Sequence, residues 1–206
     1  MELLPEHCRT FLWFLELPNN WSNLYVFKSG FSTVAAQSYT YFTGQTLDDD
    51  ASVWNEIFPY LKSYKDLANH KMFIVWRDPI ERCMSLYNEM LHCPETHPKL
   101  RKKIRLDSVQ QFITDYVICR DVHSKPIFWS IDKLALNPSD ITFVPLDRLE
   151  IFSRNELGFT GEWKPKNVSG TSAKLSNSVK QLFQNNGILK RFFHNDYLLY
   201  KNVRPY

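Results

Sequence analysis

The stretch Leu24-Tyr25-Val26-Phe27-Lys28-Ser29-Gly30-Phe31-Ser32-Thr33 decides how this chain is expected to fold. Its first four residues form a short apolar run, which is typical of a buried parallel strand. The next six supply a lysine, a glycine and three hydroxyl groups, and the helix-compatible run Val34–Phe42 follows them. We therefore predict a strand, a tight loop and a helix N-terminus, where backbone N–H groups and the helix dipole favour an anion.

A second segment of the same kind begins with the apolar run Met72-Phe73-Ile74-Val75-Trp76 and continues into Arg77-Asp78-Pro79-Ile80-Glu81-Arg82. A cation again follows a strand, and the proline suits the first turn of a helix because its missing N–H would be unpaired there anyway. The pattern predicts a helix from Pro79 to about Leu91, with Ser85 on it. Two such junctions in one chain indicate a ligand with two separate phosphate groups.

The two acidic residues in the second segment have a simpler interpretation. Asp78 and Glu81 lie at the predicted helix N-terminus, where a carboxylate caps backbone N–H groups and interacts favourably with the helix dipole. We therefore interpret them as caps and dipole partners of the helix.

The rest of the chain continues the alternation of strands and helices. Further helices are predicted at Val53–Leu67, Ser108–Cys119, Lys125–Leu136, Arg148–Leu157, Leu175–Asn185 and Ile188–His194, with a third strand at Ile141–Val144 and a long loop at Gly158–Ser172. This alternation is typical of an α/β protein. We predict one domain over residues 1–206, built as a three-layer α/β/α sandwich with a central parallel sheet.

Composition and charge exclude several classes of protein. A hydrophobic content of 44% argues against disorder. A net charge of +3 indicates a small anionic ligand and no nucleic acid, since nucleic-acid-binding domains usually concentrate far more positive charge on one face. The basic run Lys99–Arg105 is interpreted as solvated surface. If it has a function, that function is to attract an anionic acceptor or the cofactor.

The cysteines and the N-terminal region bear on the cellular setting. The four cysteines, Cys8, Cys83, Cys93 and Cys119, form no Cys-x-x-Cys pair, so we expect reduced thiols and no metal site. The apolar stretch Phe11–Leu17 is too short to span a bilayer and contains Glu16. We expect a cytoplasmic protein without a membrane span.

The two junctions resemble the cofactor-binding motifs of sulfotransferases, most closely those of the carbohydrate-type branch, the sulfotransferase family 2 group. The segment from Lys28 to Thr33 is similar to the family's 5′-phosphosulfate loop, and Arg77–Arg82 with Ser85 and Tyr87 is similar to its 3′-phosphate signature. Weaker likenesses lie at Asp121–Pro126 and, further on, at Asn167-Val168-Ser169 and Asp196-Tyr197. The likeness covers roughly residues 22–202, and it implies a P-loop-like fold.

What the resemblance implies is transfer of a sulfuryl group from 3′-phosphoadenosine 5′-phosphosulfate (PAPS) to a hydroxyl or an amine, without a metal, leaving 3′-phosphoadenosine 5′-phosphate (PAP). Lys28 is then the residue that stabilises charge on the bridging oxygen. The residues implied to contact the cofactor are Lys28, Ser29, Gly30, Phe31, Ser32, Thr33, Arg77, Ser85 and Lys166. Among them Arg77 and Ser85 bind the 3′-phosphate, and Lys166, with Lys164, folds over it.

The general base is not fixed by the motifs. A hydroxyl acceptor needs a proton acceptor within hydrogen-bond reach, and histidine is the usual choice. His123 is the first candidate because it lies in a family-like segment, although a histidine that orients a loop explains it equally well. Asp48–Asp50, His92 and His97 stay open as alternatives, whereas His70 is predicted to lie at the wrong end of its strand.

The motifs also leave the identity of the acceptor molecule open. We favour a small soluble molecule such as a specialised metabolite, with a glycan as the alternative. A non-catalytic PAPS-binding or nucleotide-binding module is the rival from a different class, since the same residues support binding without turnover. A nucleotide-dependent kinase is the weakest interpretation, because Lys28 precedes Gly30, which is the reverse of the order in a P-loop.

Overall fold

The computed structural model of the protein describes residues 14–26, 28–46, 56–67, 69–93, 97–119, 123–163, 175–203 and 205–206. The chain divides into two compact units. The sheet unit comprises Met1–Trp76, Leu136–Val168 and Val203–Tyr206, and the helical unit comprises Arg77–Ala135 and Ser169–Asn202. Each unit contains its own cluster of buried hydrophobic residues.

The strands described in the sheet unit form one five-stranded mixed sheet. They are β1, Phe14–Leu17; β2, Trp21–Leu24; β3, Leu61–Lys62; β4, Lys71–Trp76; and β5, Ile141–Pro145. Their order is β3-β1-β2-β4-β5. Strands β2, β4 and β5 run parallel, whereas β1 is antiparallel to both β2 and β3. The α/β class is confirmed, and the prediction of a parallel sheet is wrong for β1, which runs antiparallel to both of its neighbours.

The antiparallel pairing of β1 with β2 follows from a very short connection. Only Pro18–Asn20 joins the two strands, and Asn19 and Asn20 adopt φ angles of 58° and 57°. A link this short folds a strand back beside its neighbour, whereas a parallel pair needs a crossover of about a dozen residues or more. Asparagine tolerates the left-handed conformation that such a turn requires. The strand predicted at Leu24–Phe27 is also misplaced, because β2 ends at Leu24.

The helices match most of the predictions made from periodicity. They are α1, Phe31–Thr43; α2, Pro79–His92; α3, Pro98–Arg101; α4, Val109–Cys119; α5, Ile127–Lys133; α6, Leu149–Asn155; α7, Asn177–Gln184; α8, Gly187–Phe192; and α9, His194–Asn202. The helices expected near α1, α2, α4, α5, α6, α7 and α8 are confirmed, whereas the sequence pattern does not predict α3 or α9.

The helix predicted over Val53–Leu67 is wrong for its second half. A 3₁₀ turn covers Phe58–Tyr60, β3 follows it, and a second 3₁₀ turn covers Tyr64–Leu67. The physical reason is Pro59, which lacks an N–H and whose ring clashes with the carbonyl of an α-helix four residues earlier. The pattern of apolar residues was helical, but the proline overrides it.

The sheet unit is held together by an aromatic cluster and by contacts from α1. Trp21 on β2 meets Phe73 on β4 and Phe152 on α6 edge-on, at centroid distances of 6.0 and 5.2 Å. Ser38 on α1 donates a hydrogen bond of 3.2 Å to the carbonyl of Glu16 on β1. These contacts fix the sheet and α1, and therefore the loop between β2 and α1.

Candidate functional site

The junction between β2 and α1, called here the uncapped junction (Lys28–Thr33), depends on a glycine. Gly30 immediately precedes α1 and has a φ of 76°, in the left-handed region. A Cβ at this position would lie 2.7 Å from Cδ1 of Leu146 and 3.3 Å from Cδ2 of Leu149. The left-handed backbone therefore favours glycine, which is the residue that lets the chain turn into the helix here, and a larger residue would also have to displace the end of the Leu146 side chain.

The start of α1 has the electrostatic character of an anion site. Gly30 has no side chain to cap the helix, and the first turn of α1 contains no acidic residue. The change from a left-handed residue to helical backbone at this point turns successive N–H groups towards one side. The positive end of the helix dipole is therefore not neutralised by the helix's own first turn.

A buried hydroxyl adds an independent feature. Ser29 is 1% exposed, and within the described residues its Oγ has no hydrogen-bond partner. An unsatisfied buried polar group costs about 1–3 kcal/mol, so native proteins seldom retain one without a role. A hydroxyl donor beside an uncapped helix N-terminus is suited to an anionic oxygen.

All six residues predicted to form the phosphosulfate loop lie together at this junction. Lys28 is half-buried and has a left-handed φ of 60°. Phe31 begins α1, Ser32 is half-buried and Thr33 is 3% exposed. This part of the candidate site belongs entirely to the sheet unit.

The junction that leads into α2, called here the capped junction (Arg77–Arg82), belongs to the helical unit and is built differently. Oδ1 of Asp78 accepts hydrogen bonds from the N–H groups of Ile80 at 2.8 Å and Glu81 at 3.1 Å. The interpretation of Asp78 as a cap is confirmed. The expectation that these N–H groups bind an anion is wrong, because a carboxylate of the chain already accepts from them.

The cap is anchored from the C-terminal part of the chain. Tyr197 on α9 donates a hydrogen bond of 2.9 Å to Oδ2 of Asp78. Burial, and then the negative charge of Asp78, raise the pKa of Tyr197. Tyr197 had been noted only as part of a weak C-terminal likeness, and the structure assigns it a positioning role at α2.

Arg77 and Ser85 are the predicted 3′-phosphate ligands in the helical unit. Nε of Arg77 lies 3.8 Å from Oε2 of Glu81, and the arginine side chain is 19% exposed. Burial lowers the pKa of Arg77, and the charge of Glu81 opposes this shift. Ser85 is 5% exposed on α2. Glu81 is 58% exposed, so this ion pair is weak.

A buried ion pair that sequence reasoning missed supports the same helix. Arg82 is 2% exposed, and its Nη2 lies 3.3 Å from Oδ2 of Asp196, which is 0% exposed. Asp196 also accepts from the N–H groups of Ile127 at 3.0 Å and Phe128 at 2.8 Å, at the start of α5. Burial raises the pKa of Asp196, opposed by the charge of Arg82 and the two N–H groups. The likeness around Asp196 and Tyr197 therefore marks two structural anchors.

Two of the candidate bases lie together in the helical unit. The rings of His97 and His123 meet edge-on at a centroid distance of 4.6 Å. Nε2 of His97 lies 3.1 Å from Oε2 of Glu89 on α2. The carbonyl of His123 accepts a hydrogen bond of 3.1 Å from the hydroxyl of Tyr116 on α4. The sequence separated these histidines by 26 positions, and neither spacing nor periodicity related them.

The other candidate bases and cofactor ligands lie outside these two groups of residues. Nδ1 of His70 lies 3.2 Å from the carbonyl of Trp21, so it links the beginnings of β2 and β4, as its predicted position implied. His92 is exposed at the end of α2. Lys164, Lys166, Asn167–Ser169 and Asp48–Asp50 lie outside the described residues.

The described residues contain no group of three or more His, Cys, Asp or Glu side chains arranged to hold a metal ion. None of the helices described is both long enough and apolar enough to cross a membrane.

Comparison with models of protein families, with curated proteins and with solved structures finds no match to this chain.

Proposed function

We propose that the protein is a PAPS-dependent sulfotransferase that transfers a sulfuryl group to a hydroxyl or amine of a small soluble acceptor in the cytoplasm. The observation that carries the proposal is the uncapped junction. There the buried Oγ of Ser29, which has no hydrogen-bond partner among the described residues, lies beside α1, whose N-cap Gly30 contributes no acidic side chain. A phosphosulfate has several anionic oxygens, and hydroxyl and N–H donors at a helix N-terminus are suited to them.

The proposed role of this junction is to hold the 5′-phosphosulfate and stabilise the charge that develops on transfer. Catalysis of group transfer of this kind depends largely on positioning and electrostatics. Lys28 neutralises the bridging oxygen as the bond to sulfur breaks, and Ser29, Ser32 and Thr33 donate to the remaining oxygens. Gly30 and Phe31 contribute backbone at the start of α1.

The second phosphate is assigned to side chains in the helical unit. Arg77 is the proposed ligand of the 3′-phosphate, since its planar fork matches a phosphate and its ion pair with Glu81 is weak. Ser85 contributes a hydroxyl, and Lys166 is proposed to close over the same phosphate. As part of the same proposal, the protein has the architecture of a three-layer, P-loop-like α/β/α sandwich.

The first experiment is isothermal titration calorimetry of PAP without metal, compared with AMP and with magnesium–ATP. We expect PAP to bind at least tenfold more tightly than AMP, because the 3′-phosphate adds a charge-assisted contact. Preference for magnesium–ATP would contradict the proposal and favour a kinase. Mass spectrometry then measures transfer of the sulfuryl group from PAPS to hydroxyl and amine acceptors. Binding of PAP without transfer to any of these acceptors would favour the non-catalytic module. Transfer to oligosaccharides alone would favour a glycan acceptor.

Two buried serines provide a matched test of the proposed role of Ser29 in binding the cofactor. Ser29 and Ser38 are 1% and 0% exposed, but Ser38 has a partner, the carbonyl of Glu16 at 3.2 Å. We expect Ser29→Ala to weaken PAP binding by roughly 10–100-fold, the cost of one hydrogen bond to a charged group, and to leave stability unchanged or higher. Ser38→Ala should lower stability and leave the affinity for PAP unchanged. Equal affinities in both variants would remove Ser29 from the site.

A further inference from the structure

A short amphipathic turn in the helical unit directs three lysines to solvent. The N–H groups of Lys103 and Ile104 donate to the carbonyl of Leu100 at 2.9 and 3.0 Å, which extends the helical backbone of α3 past its last residue. Leu100 and Ile104 are 3% and 2% exposed, so they anchor this turn in the core. Lys99, Lys102 and Lys103, which lie between and beside them, are exposed. The turn therefore presents three ammonium groups on one short stretch of chain.

The carboxylates that follow this turn act on a neighbouring arginine. Nε of Arg105 donates to Oδ2 of Asp115 at 2.9 Å, and its Nη2 donates to Oδ1 at 3.0 Å. These hydrogen bonds and the charge of Asp115, with a smaller effect of Asp107, raise the pKa of Arg105. Among the described residues, no ion pair joins a carboxylate to any of the three lysines. Their positive charge is therefore not neutralised by this part of the chain.

An exposed apolar side chain accompanies these cations. Asp115, which is bonded to Arg105, and Ile118 are three residues apart on α4, so they are neighbours on the surface of that helix. Ile118 is 69% exposed, the largest exposed fraction among the large hydrophobic residues that the structure describes. An isoleucine left in water contributes little to folding. The name basic surface is used below for Lys99, Lys102, Lys103 and Ile118.

We propose that the basic surface binds bilayers that contain anionic phospholipids. The ammonium groups attract the lipid phosphates and carboxylates, and Ile118 enters the boundary between headgroups and acyl chains. A DNA duplex offers no apolar layer to Ile118, and residues 98–106 contain no Phe, Tyr or Trp to stack on single-stranded bases. The surface lies entirely in the helical unit, and its role does not depend on the proposed sulfotransferase function.

The first test is sedimentation of the protein with sucrose-loaded vesicles. In about 0.1 M NaCl we expect at least about tenfold stronger binding to phosphatidylcholine vesicles with about 30% phosphatidylserine than to phosphatidylcholine alone. Binding should be lost near about 1 M NaCl, because the screening length for exposed charges then falls to about 3 Å.

Two triple variants, each of which removes three positive charges from the helical unit, locate the surface. The variant Lys99→Gln, Lys102→Gln and Lys103→Gln should bind phosphatidylserine vesicles roughly 100-fold more weakly, since each lysine near an anionic bilayer contributes about fivefold. The control variant should change binding by less than about threefold, because its lysines are exposed on other helices. Its substitutions are Lys133→Gln, Lys190→Gln and Lys201→Gln.

A second pair of variants tests the apolar contact. Ile118→Ser should weaken binding to phosphatidylserine vesicles about fivefold, because the isoleucine no longer leaves water on binding. Leu182→Ser is the control, since Leu182 is 57% exposed on α7, and it should leave binding unchanged. All of the substituted side chains are exposed, so circular dichroism should show that every variant is folded.

Three outcomes would overturn the role of the basic surface. The first is equal binding of the wild type to vesicles with and without phosphatidylserine, or binding to a random-sequence DNA duplex but not to vesicles. The second is an equal loss of vesicle binding in the two triple variants. The third is loss of PAP affinity, with vesicle binding unchanged, in the variant at Lys99, Lys102 and Lys103, which would assign this run to attraction of the cofactor instead.

Discussion

The uncapped and capped junctions have similar sequences, in which an apolar run is followed by a cation and then a helix, but they differ in what occupies the helix N-terminus. At α1 the cap is Gly30, which contributes no side chain and is required by a φ of 76°. At α2 the cap is Asp78, whose Oδ1 accepts from two N–H groups at 2.8 and 3.1 Å. The N-terminus of α1 therefore has no carboxylate cap, whereas the N-terminus of α2 is already capped by a carboxylate of the chain.

The difference shows that a strand, a cation and a helix do not by themselves make a phosphate site. The dipole and N–H groups of a helix favour one anion, and a carboxylate of the chain satisfies them as well as a phosphate does. Any phosphate bound at the capped junction must therefore depend on side chains such as Arg77 and Ser85. At the uncapped junction the backbone is also suited to contribute.

The largest effect expected is on folding, from the network that supports the capped junction. Asp196→Asn leaves the buried charge of Arg82 without its carboxylate, and breaking a buried pair from one side costs about 3–5 kcal/mol. Urea denaturation should show this loss in the free energy of unfolding. Asp132→Asn, which removes an exposed carboxylate on α5, serves as the control and should stay within about 0.5 kcal/mol of wild type. A stable Asp196→Asn would mean that the pair is dispensable.

The next effect is on activity, from the uncapped junction. Lys28→Ala should lower kcat for sulfuryl transfer by roughly 10²–10³-fold, because it removes the cation that we propose stabilises the developing charge. The thermal midpoint should change little, since Lys28 lies in a loop. Lys62→Ala removes a lysine on β3 that pairs with Glu16 at 3.6 Å, and it should leave kcat unchanged. A fully active Lys28→Ala would refute the assignment.

Arg77→Ala tests whether the capped junction binds a phosphate through side chains. We expect PAP affinity to fall by about 2 kcal/mol, or roughly 30-fold, at the low end for a charge-assisted contact because Arg77 is partly exposed. AMP, which lacks the 3′-phosphate, should lose almost nothing. The exposed Arg191→Ala is the control for loss of a positive charge in the helical unit. If PAP and AMP weaken equally, Arg77 does not recognise the 3′-phosphate.

The smallest effect should come from the cap itself. Asp78→Ala removes two hydrogen bonds to the N–H groups of α2 and should lower the free energy of unfolding by about 1 kcal/mol. Asp78→Ser, which retains a good N-cap oxygen, should recover part of that loss in the same denaturation experiment. If alanine and serine behave alike, the cap contributes nothing measurable and the contrast between the two junctions is weaker than we infer.

Local signals allowed much of this architecture to be predicted from sequence. Periodicity located α2, α4 and the strand at β4 within a few residues, because amphipathic patterns and the proline at the start of α2 act over short distances. The cap at Asp78 could be predicted for the same reason. The break at Pro59 also had a local signal, the proline itself, which was outweighed by the hydrophobic pattern of Val53–Leu67. The hairpin at Pro18–Asn20 had a local signal in its turn asparagines, from which no element was predicted.

The sequence by itself determined most of the helices and β4, the glycine and lysine of the uncapped junction, and the carboxylate that caps α2, since each depends on neighbours within one turn of the chain. Only the tertiary structure decided which groups meet across long separations. It paired Arg82 with Asp196, gave the cap at Asp78 its bond from Tyr197, and brought His97 against His123. It also buried Ser29 where its Oγ meets no hydrogen-bond partner in the part of the chain that the structure describes. Such contacts depend on how whole helices pack against one another. Their contribution to the free energy of folding depends on burial, and burial is a property of the folded chain.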